Sequence, residues 1–244
     1  MKNIMEIKHG DKTFTLAWNF AFINDKNYDI LLSSISGEES KMASKFPSRS
    51  RVIEFVTGRH CVRQAIASYE QKTGHHDINI GIGVWGYPFI QGSDLNISIA
   101  HTDKCVIAIC TNGAFPAGID MEEHKPSNDA LILSQLNDAE KKLLSTFPGH
   151  SEGLHILWAA KEAVAKALRT GFRVAMPFFE VSGVSKKQDG WHIYFDTIGV
   201  LSVIAVNTGS GVLALALPTG SSVINGFEIF SAVTNIHSPQ KQNL

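Results

Sequence analysis

The chain has 244 residues, of which 44% are hydrophobic and 18% are charged, and its formal net charge at pH 7 is -1. This balance is that of an ordinary globular protein with enough apolar material for a sizeable core. The near-neutral charge argues against a nucleic-acid-binding protein, and the apolar runs are too short for a membrane span, so we expect neither kind of partner.

The first half of the chain predicts one long helix followed by strands. Apolar residues recur every three or four positions between residues 51 and 69, which indicates an amphipathic helix. Ser48 or Ser50 is a suitable N-cap, and Gly74 is the predicted end. Strand patterns follow at 78–85, 96–100, 104–110 and 117–122.

The second half repeats this order. Residues 127–135 predict a short helix, and Asn137 and Glu140 lie at the spacing of a capping box. A second long helix is predicted from about residue 153 to residue 169, before Gly171. The closing strand patterns are 178–183, 191–195, 200–206 and 212–217.

This order of elements predicts an α+β fold with two similar halves related by a pseudo-two-fold axis. Each half would be a long helix packed on a small, mostly antiparallel sheet. We divide the chain into residues 1–124 and 125–244, which together would form one compact unit. The symmetry rests on the order of elements alone, and a ligand is expected at the junction of the halves.

The segment 117–123 carries the first candidate for chemistry. Alternate residues of a strand share a face, so Asp120 and Glu122 project together while Ile119 and Met121 face the core. Two carboxylates at a strand end can hold magnesium or manganese. Taken alone, such a pair is more often solvated surface.

The second candidate is the helix around residues 158–168. Glu162 and Lys166 lie four apart, the spacing of an ordinary helix-surface ion pair. Lys161 lies near the apolar stripe, so its ammonium group must either snorkel to solvent or meet an anion. A functional interpretation makes Glu162 a third metal carboxylate and both lysines phosphate-binding or proton-handling groups.

The third candidate lies where the strand at 96–100 ends. His101 and Thr102 stand at the turn, although a lone histidine there is more often structural. Arg51, Arg59 and Arg63 lie on the first long helix, and Arg59 falls on its apolar stripe, which is an unusual place for a solvated arginine.

The order of these motifs resembles the phosphopantetheinyl transferases of the Sfp type, especially the branch that serves siderophore synthetases. The family motifs Gly-Ile-Asp-x-Glu and Trp/Phe-x-x-Lys-Glu-x-x-x-Lys are matched by residues 118–122 and 158–166. A Glu-Phe-x-x-Gly-Arg-x-x-x-Arg helix is matched by 54–63, and Ser-x-Ser/Thr-His is matched imperfectly by 98–101. The resemblance spans about residues 45–185.

The resemblance implies the fold of the 4'-phosphopantetheinyl transferases and their activity. Such an enzyme would transfer the 4'-phosphopantetheine group of coenzyme A to a serine of an apo-acyl or peptidyl carrier protein. It would release adenosine 3',5'-bisphosphate. The first half would supply the nucleotide-binding helix and the first metal carboxylates, and the second half the Lys-Glu helix.

The resemblance also implies roles for individual residues. Magnesium, with manganese as an alternative, would be bound by Asp120, Glu122 and Glu162. Catalysis would depend on Glu162, Lys166 and Lys161. Coenzyme A would be bound by Arg51, Arg59, Ser98, His101, Thr102, Lys161 and Lys166.

Two departures from the family pattern concern nucleotide binding. Ala100 stands where the family has a hydroxyl residue, and the segment 85–88 lacks the usual basic residue. Two alternatives therefore stay open. A metal-dependent hydrolase of the coenzyme A pyrophosphate would use the same carboxylates, and a non-catalytic coenzyme A-binding module would not need them all.

The surroundings of the protein are predicted from its termini and cysteines. The N-terminus is too polar for a signal peptide, and Cys61, Cys105 and Cys110 form no paired motif. We therefore expect a cytoplasmic protein with three buried, reduced thiols. Two α+β halves in one chain favour a monomer.

Overall fold

The computed structural model describes residues 3–71, 78–226 and 228–230. The chain begins with a hairpin, β1 (Ile4–His9) and β2 (Lys12–Phe22). A 3-10 turn (Asp25–Asn27) leads to two short helices, α1 (Tyr28–Ser33) and α2 (Gly37–Ala43), and to the long helix α3 (Arg49–Glu70). The next strands are β3 (Ile80–Ile82), β4 (Pro88–Ile90), β5 (Asn96–His101), β6 (Cys105–Thr111) and β7 (Gly118–Glu123).

Apart from the opening hairpin, the second half has the same order of helices and strands. A 3-10 turn (Pro126–Asn128) precedes the short helices α4 (Asp129–Ser134) and α5 (Asp138–Leu143), and the 3-10 turn Leu144–Thr146 precedes the long helix α6 (His150–Ala167). Two further 3-10 turns follow at Gly171–Arg173 and Met176–Phe179. The closing strands are β8 (Val181–Lys187), β9 (Gly190–Phe195), β10 (Leu201–Asn207), β11 (Gly211–Pro218) and β12 (Ser222–Asn225).

The long strands form two five-stranded sheets. Their orders are β12-β1-β2-β6-β5 and β7-β11-β10-β9-β8, and β3 pairs with β4 in a separate ribbon. Every strand pairing among the described residues is antiparallel. The α+β class predicted from the sequence is therefore confirmed.

Alternation along the central strands explains how the sheets are layered. In β6, Ala108 packs in the cluster that includes α3, whereas Ile107 packs in a core shared by both sheets. In β11, Ala214 packs in the cluster that includes α6, and Leu213 joins the shared core. Each sheet therefore buries both faces, one against its own helix and one against the other sheet.

The short helices before α3 and α6 correspond to each other residue by residue. Ser36 and Glu39 form a complete capping box at α2, and Asn137 and Glu140 form one at α5. At the same sequence offset, each box is followed by a Phe-Pro pair and then by the long helix. This correspondence, which element order alone could not reveal, supports two similar halves.

The corresponding glutamates are also buried in the same way. Glu39 pairs with Arg63 of α3, with 2.5 Å between Nη2 and Oε2. Glu140 pairs with Lys161 of α6, with 2.6 Å between Nζ and Oε1. In each half, therefore, one buried ion pair attaches the short capped helix to the long one.

The predicted element boundaries differ from the observed ones in a few places. Ser48 caps α3 as predicted, and the described helix ends at Gln71 in a left-handed conformation, while the predicted end, Gly74, lies outside the described residues. The helix α6 begins at His150, earlier than predicted, with Gly149 as its N-cap. None of the helices formed by the described residues is long and apolar enough to cross a bilayer.

Candidate active site

The strand β7 lies against α6 at an unusually close distance because of Gly118. A Cβ atom at this position would lie 2.2 Å from the carbonyl oxygen of Ala163 and 2.5 Å from the amide nitrogen of Ala167. Only glycine permits such an approach of strand backbone to helix backbone. The carboxylates that follow on β7 are thereby brought onto the surface of α6.

Three carboxylates meet where β7 passes α6. One oxygen each of Asp120, Glu122 and Glu162 lies within 4.8 Å of the other two. Ile119 and Met121, which alternate with the acids of β7, lie in the shared core as predicted. The strand alternation and the contact between β7 and α6 therefore produce one acidic cluster.

Lys166 is the basic member of this cluster. Its Nζ donates to Oδ1 of Asp120 at 2.5 Å and lies 4.0 Å from Oε2 of Glu162. Asp120 is 3% exposed, and its second oxygen, Oδ2, is buried without a hydrogen-bond partner among the described residues. A buried, unsatisfied carboxylate oxygen beside two further carboxylates fits a hard divalent cation.

Burial and mutual repulsion shift the titration of the cluster. Burial first, and the charge of Asp120 second, raise the pKa of Glu122 to about 7 and that of Glu162 to about 8. Burial alone would lower the pKa of Lys166, but the neighbouring carboxylates, Asp120 foremost, raise it. The cluster therefore holds protons near neutral pH that a bound cation would displace.

A cavity of about 520 Å³ opens beside the cluster, and Lys166 lines it. Residues of α3, β5, the end of α6 and the segment around residue 86 form its walls. Its aromatic lining comprises Phe46, Phe55, Trp85 and Tyr87, and its basic lining comprises Arg51, Arg59, His101, Lys166 and Arg169. A second cavity of about 660 Å³ contains no member of the acidic cluster. The smaller cavity is therefore the candidate binding site.

His101 and Arg51 share one carboxylate in this cavity. His101 Nε2 lies 3.0 Å from Oε1 of Glu54, and the guanidinium of Arg51 donates to the same oxygen. Burial lowers the pKa of His101, although the negative charge of Glu54 opposes that shift. The predicted nucleotide-binding residues Arg51 and His101 are thus brought together.

Arg59 also lines the cavity, but it is tied to the protein. Its Nε lies 3.5 Å from Oε1 of Glu39, and its guanidinium carbon lies 4.7 Å from the ring centroid of Phe55. Burial lowers the pKa of Arg59 to about 10. Arg63 pairs with the same glutamate and donates to the carbonyl of Ile78 at 2.8 Å, so it serves the fold.

Ser98 and Thr102 differ in their relation to the cavity. Ser98 lines it, while its Oγ accepts a hydrogen bond at 3.1 Å from the amide of Ile119 and so joins β5 to β7. The hydroxyl of Thr102 accepts from the amide of Lys104 at 3.2 Å within the turn. Thr102 is not among the residues that line the cavity.

Lys161 does not lie with the other predicted site residues. It is 1% exposed and pairs with Glu140 on the side of α6 away from the cavity lining. The requirement derived from the sequence, that this lysine snorkel or meet an anion, is met by a protein carboxylate. Its assignment to the coenzyme A pyrophosphate therefore finds no support in the geometry.

The sequence reasoning missed Arg169, which follows Lys166 by three residues at the end of α6. It lines the cavity with its guanidinium over the ring of Tyr87, at 5.5 Å from the centroid. The spacing 162, 166, 169 is that of one helix face and was the signal that could have found it.

A family model matches the segment of the chain that carries the motifs. Residues 116–203 match the model of the 4'-phosphopantetheinyl transferase superfamily, a range that includes Asp120, Glu122, Glu162 and Lys166. No curated protein matches the chain. A crystal structure of a holo-(acyl-carrier-protein) synthase from Bacillus anthracis str. Ames in complex with CoA (3',5'-ADP) is 19% identical, with a TM-score of 0.37; the match covers 45% of this chain and 96% of that one. The matched segment contains both motifs on which the predicted enzyme class, that of the 4'-phosphopantetheinyl transferases, rests.

Proposed function

We propose that the protein transfers the 4'-phosphopantetheine group of coenzyme A to a serine of an apo-acyl or peptidyl carrier protein. The holo-carrier and adenosine 3',5'-bisphosphate are the products. One observation carries the proposal: the cluster of Asp120, Glu122 and Glu162 shares Lys166 with a cavity that has both basic and aromatic walls. Such a cavity suits a nucleotide whose pyrophosphate extends to the three carboxylates.

The three carboxylates are the residues that would hold a divalent cation, and Mg²⁺ is the proposed one. When bound there, the cation supplies charge neutralisation and orientation of phosphate oxygens. The unsatisfied Oδ2 of Asp120 supports this assignment, because a buried carboxylate oxygen otherwise has a partner.

The protein's own residues would act on both sides of the reacting phosphorus. The carrier serine oxygen attacks the β-phosphorus, and the bond from that phosphorus to the bridging oxygen breaks. Lys166, with its raised pKa, remains charged and offsets negative charge on the leaving bisphosphate. Glu162 is our choice to accept the serine proton, because its carboxylate lies beside Lys166, which lines the cavity.

At the nucleotide end, Arg51 and His101 would bind phosphate, with Arg59 as a buried cation behind Phe55. Ser98 would act by keeping β5 against β7 as well as by lining the cavity. Thr102 would stabilise the neighbouring turn. We leave Lys161 out of the reaction because its ammonium group is paired inside the protein.

The experiment is intact-mass spectrometry of an apo-carrier incubated with this protein, coenzyme A and Mg²⁺. The motif resemblance makes a carrier of a siderophore synthetase the first to try, followed by fatty-acid and polyketide carriers. We expect the mass of one phosphopantetheine group to be gained, and the gain to be lost with EDTA.

Other outcomes would favour the alternatives. Coenzyme A cleaved without any carrier would indicate a hydrolase that uses the same acids. Coenzyme A bound but intact with every carrier would indicate a binding module. The variant Asp120→Asn serves as the inactive control, and Asp138→Asn, which removes an exposed carboxylate of α5, serves as the matched active one.

A further inference from the structure

The helix α6 ends in a turn that places an arginine where glycine is usual. The amide of Arg169 donates to the carbonyl of Lys166, and the amide of Thr170 donates to the carbonyl of Ala165, both at 3.0 Å. These two bonds define a Schellman motif, whose left-handed position is normally glycine. Arg169 occupies it with φ 57°. Because a side chain disfavours this conformation, its presence calls for a reason outside the turn.

A buried amide orients the guanidinium of Arg169. Asn96 is buried on β5, and its Nδ2 donates to the hydroxyl of Thr111 at 3.2 Å and to the carbonyl of Ala117 at 3.0 Å. With both amide hydrogens engaged, its Oδ1 accepts from Nη2 of Arg169 at 3.1 Å. The guanidinium also stacks over Tyr87. The arginine is therefore held in the cavity by two contacts that leave its charge uncompensated.

The other cations of the cavity wall each have a carboxylate. Arg51 pairs with Glu54, Arg59 with Glu39, and Lys166 with Asp120. Among residues 3–71 and 78–226, no carboxylate lies within ion-pairing distance of Arg169. A guanidinium has five N–H donors, and only one of them is used on Asn96. The remaining donors are available to an anion in the cavity.

We propose that Arg169 binds a phosphate group of the nucleotide end of coenzyme A. This inference rests on the proposed function and adds a ligand contact from the second half of the chain. A guanidinium fits a phosphate with two parallel hydrogen bonds, and stacking on Tyr87 pre-orients it for that contact. The phosphate can be the 3'-phosphate or one of the diphosphate, and the ligands below separate these two.

The test is calorimetric titration of the full-length protein with coenzyme A, 3'-dephospho-coenzyme A and adenosine in the presence of Mg²⁺. Arg169→Gly is the informative variant: glycine suits the left-handed position, and this gain offsets the lost hydrogen bond to Asn96, so the melting temperature should change little. We expect its Kd for coenzyme A to rise about tenfold or more, the scale of one lost charge-assisted contact. Arg173→Gly removes an exposed arginine four residues away, outside the cavity lining, and should bind like the wild type.

The ligands identify the phosphate. If Arg169→Gly and wild type bind 3'-dephospho-coenzyme A with the same Kd, the contact is to the 3'-phosphate. If the Kd of the variant is still higher, the contact is to the diphosphate. The inference is overturned if wild type and Arg169→Gly bind coenzyme A with the same Kd. It is also overturned if the substitution raises the Kd for adenosine, which has no phosphate, as much as the Kd for coenzyme A. If Arg169→Gly does not fold, Arg169→Asn, which also tolerates the left-handed conformation, replaces it.

The inference and the proposed function can fail separately. A wild-type protein that binds coenzyme A but modifies no carrier contradicts the proposed transfer, while the comparison of Arg169→Gly with wild type still decides the contact. A wild-type protein that binds no coenzyme A overturns both.

Discussion

Replacing Lys161 with methionine should destabilise the protein by about 3 kcal/mol without a specific effect on coenzyme A affinity. Lys161 and Glu140 are both 1% exposed, and their charged atoms lie 2.6 Å apart. Removing one partner of a buried pair leaves an uncompensated charge, which costs about 3–5 kcal/mol. We expect the lower end, because Glu140 keeps hydrogen bonds from the amides of Asn137 and Val181.

The assay is urea denaturation of wild type and Lys161→Met, paired with the KM for coenzyme A. A double variant, Lys161→Met with Glu140→Gln, should recover part of the lost stability because it removes the orphaned charge. Lys141→Met is the matched control: its pair with Asp138 is solvent-exposed and should contribute no more than about 1 kcal/mol.

The reasoning would be refuted by a particular pattern. If Lys161→Met lost less than about 1 kcal/mol of stability and raised the KM for coenzyme A more than about tenfold, the lysine would contact the substrate. The original interpretation of this residue as a pyrophosphate ligand would then be restored.

Three further predictions concern the acidic cluster. Asp120→Asn and Glu162→Gln should each lower kcat about 100-fold or more while circular dichroism stays unchanged; near-normal turnover of either would contradict the proposed metal site. In the metal-free protein the pKa values of Glu122 and Glu162 lie above the ordinary 4.5, so the folded state binds more protons than the unfolded one. The free energy of unfolding should therefore fall as pH rises from about 4.5 to about 8, and Mg²⁺ should stabilise most at the upper end; a stability in EDTA that increases over this range would contradict the shifts. Gly118→Ala should destabilise by about 1–3 kcal/mol or more, as measured by thermal melting, because the new methyl group meets helix backbone. Gly183→Ala, where a Cβ meets nothing within 4 Å, is its control, and equal melting temperatures would refute the packing argument.

Local periodicity was sufficient to predict part of the site. The two-residue repeat of a strand puts Asp120 and Glu122 on one face, and the four-residue spacing of a helix puts Glu162 beside Lys166. The two pairs come together because β7 packs closely on α6. Local periodicity does not predict this packing; only the resemblance of the motifs to a family does. Gly118 explains that packing after the fact.

The same periodicity explains why the structure places Lys161 apart from the other predicted site residues. Neighbouring helix residues point about 100° apart, so Lys161 and Glu162 cannot both face one small cluster. The partner of Lys161 is Glu140, on a separate helix whose position the sequence pattern does not give. Arg169 was missed because the family motif ends at Lys166, although Arg169 follows that residue at helical spacing.

Local sequence patterns also do not predict which distant strands pair with each other. The strand β12 has only four residues and lies beside β1, at the other end of the chain. Nothing in Ser222–Asn225 identifies that partner. By contrast, the strong alternation in β11, with large side chains on one face and small ones on the other, was enough to predict that strand.

The exchange of strands between the two sheets limits how the cavity can open. The strand β7 precedes the division at residue 124 yet hydrogen-bonds in the second sheet, while β12 follows it and hydrogen-bonds in the first. A hinge motion that swung the halves apart would have to break both ladders. We therefore expect a ligand to enter the cavity through small movements at its rim, where Trp85 is half-exposed, rather than through a hinge at residue 124.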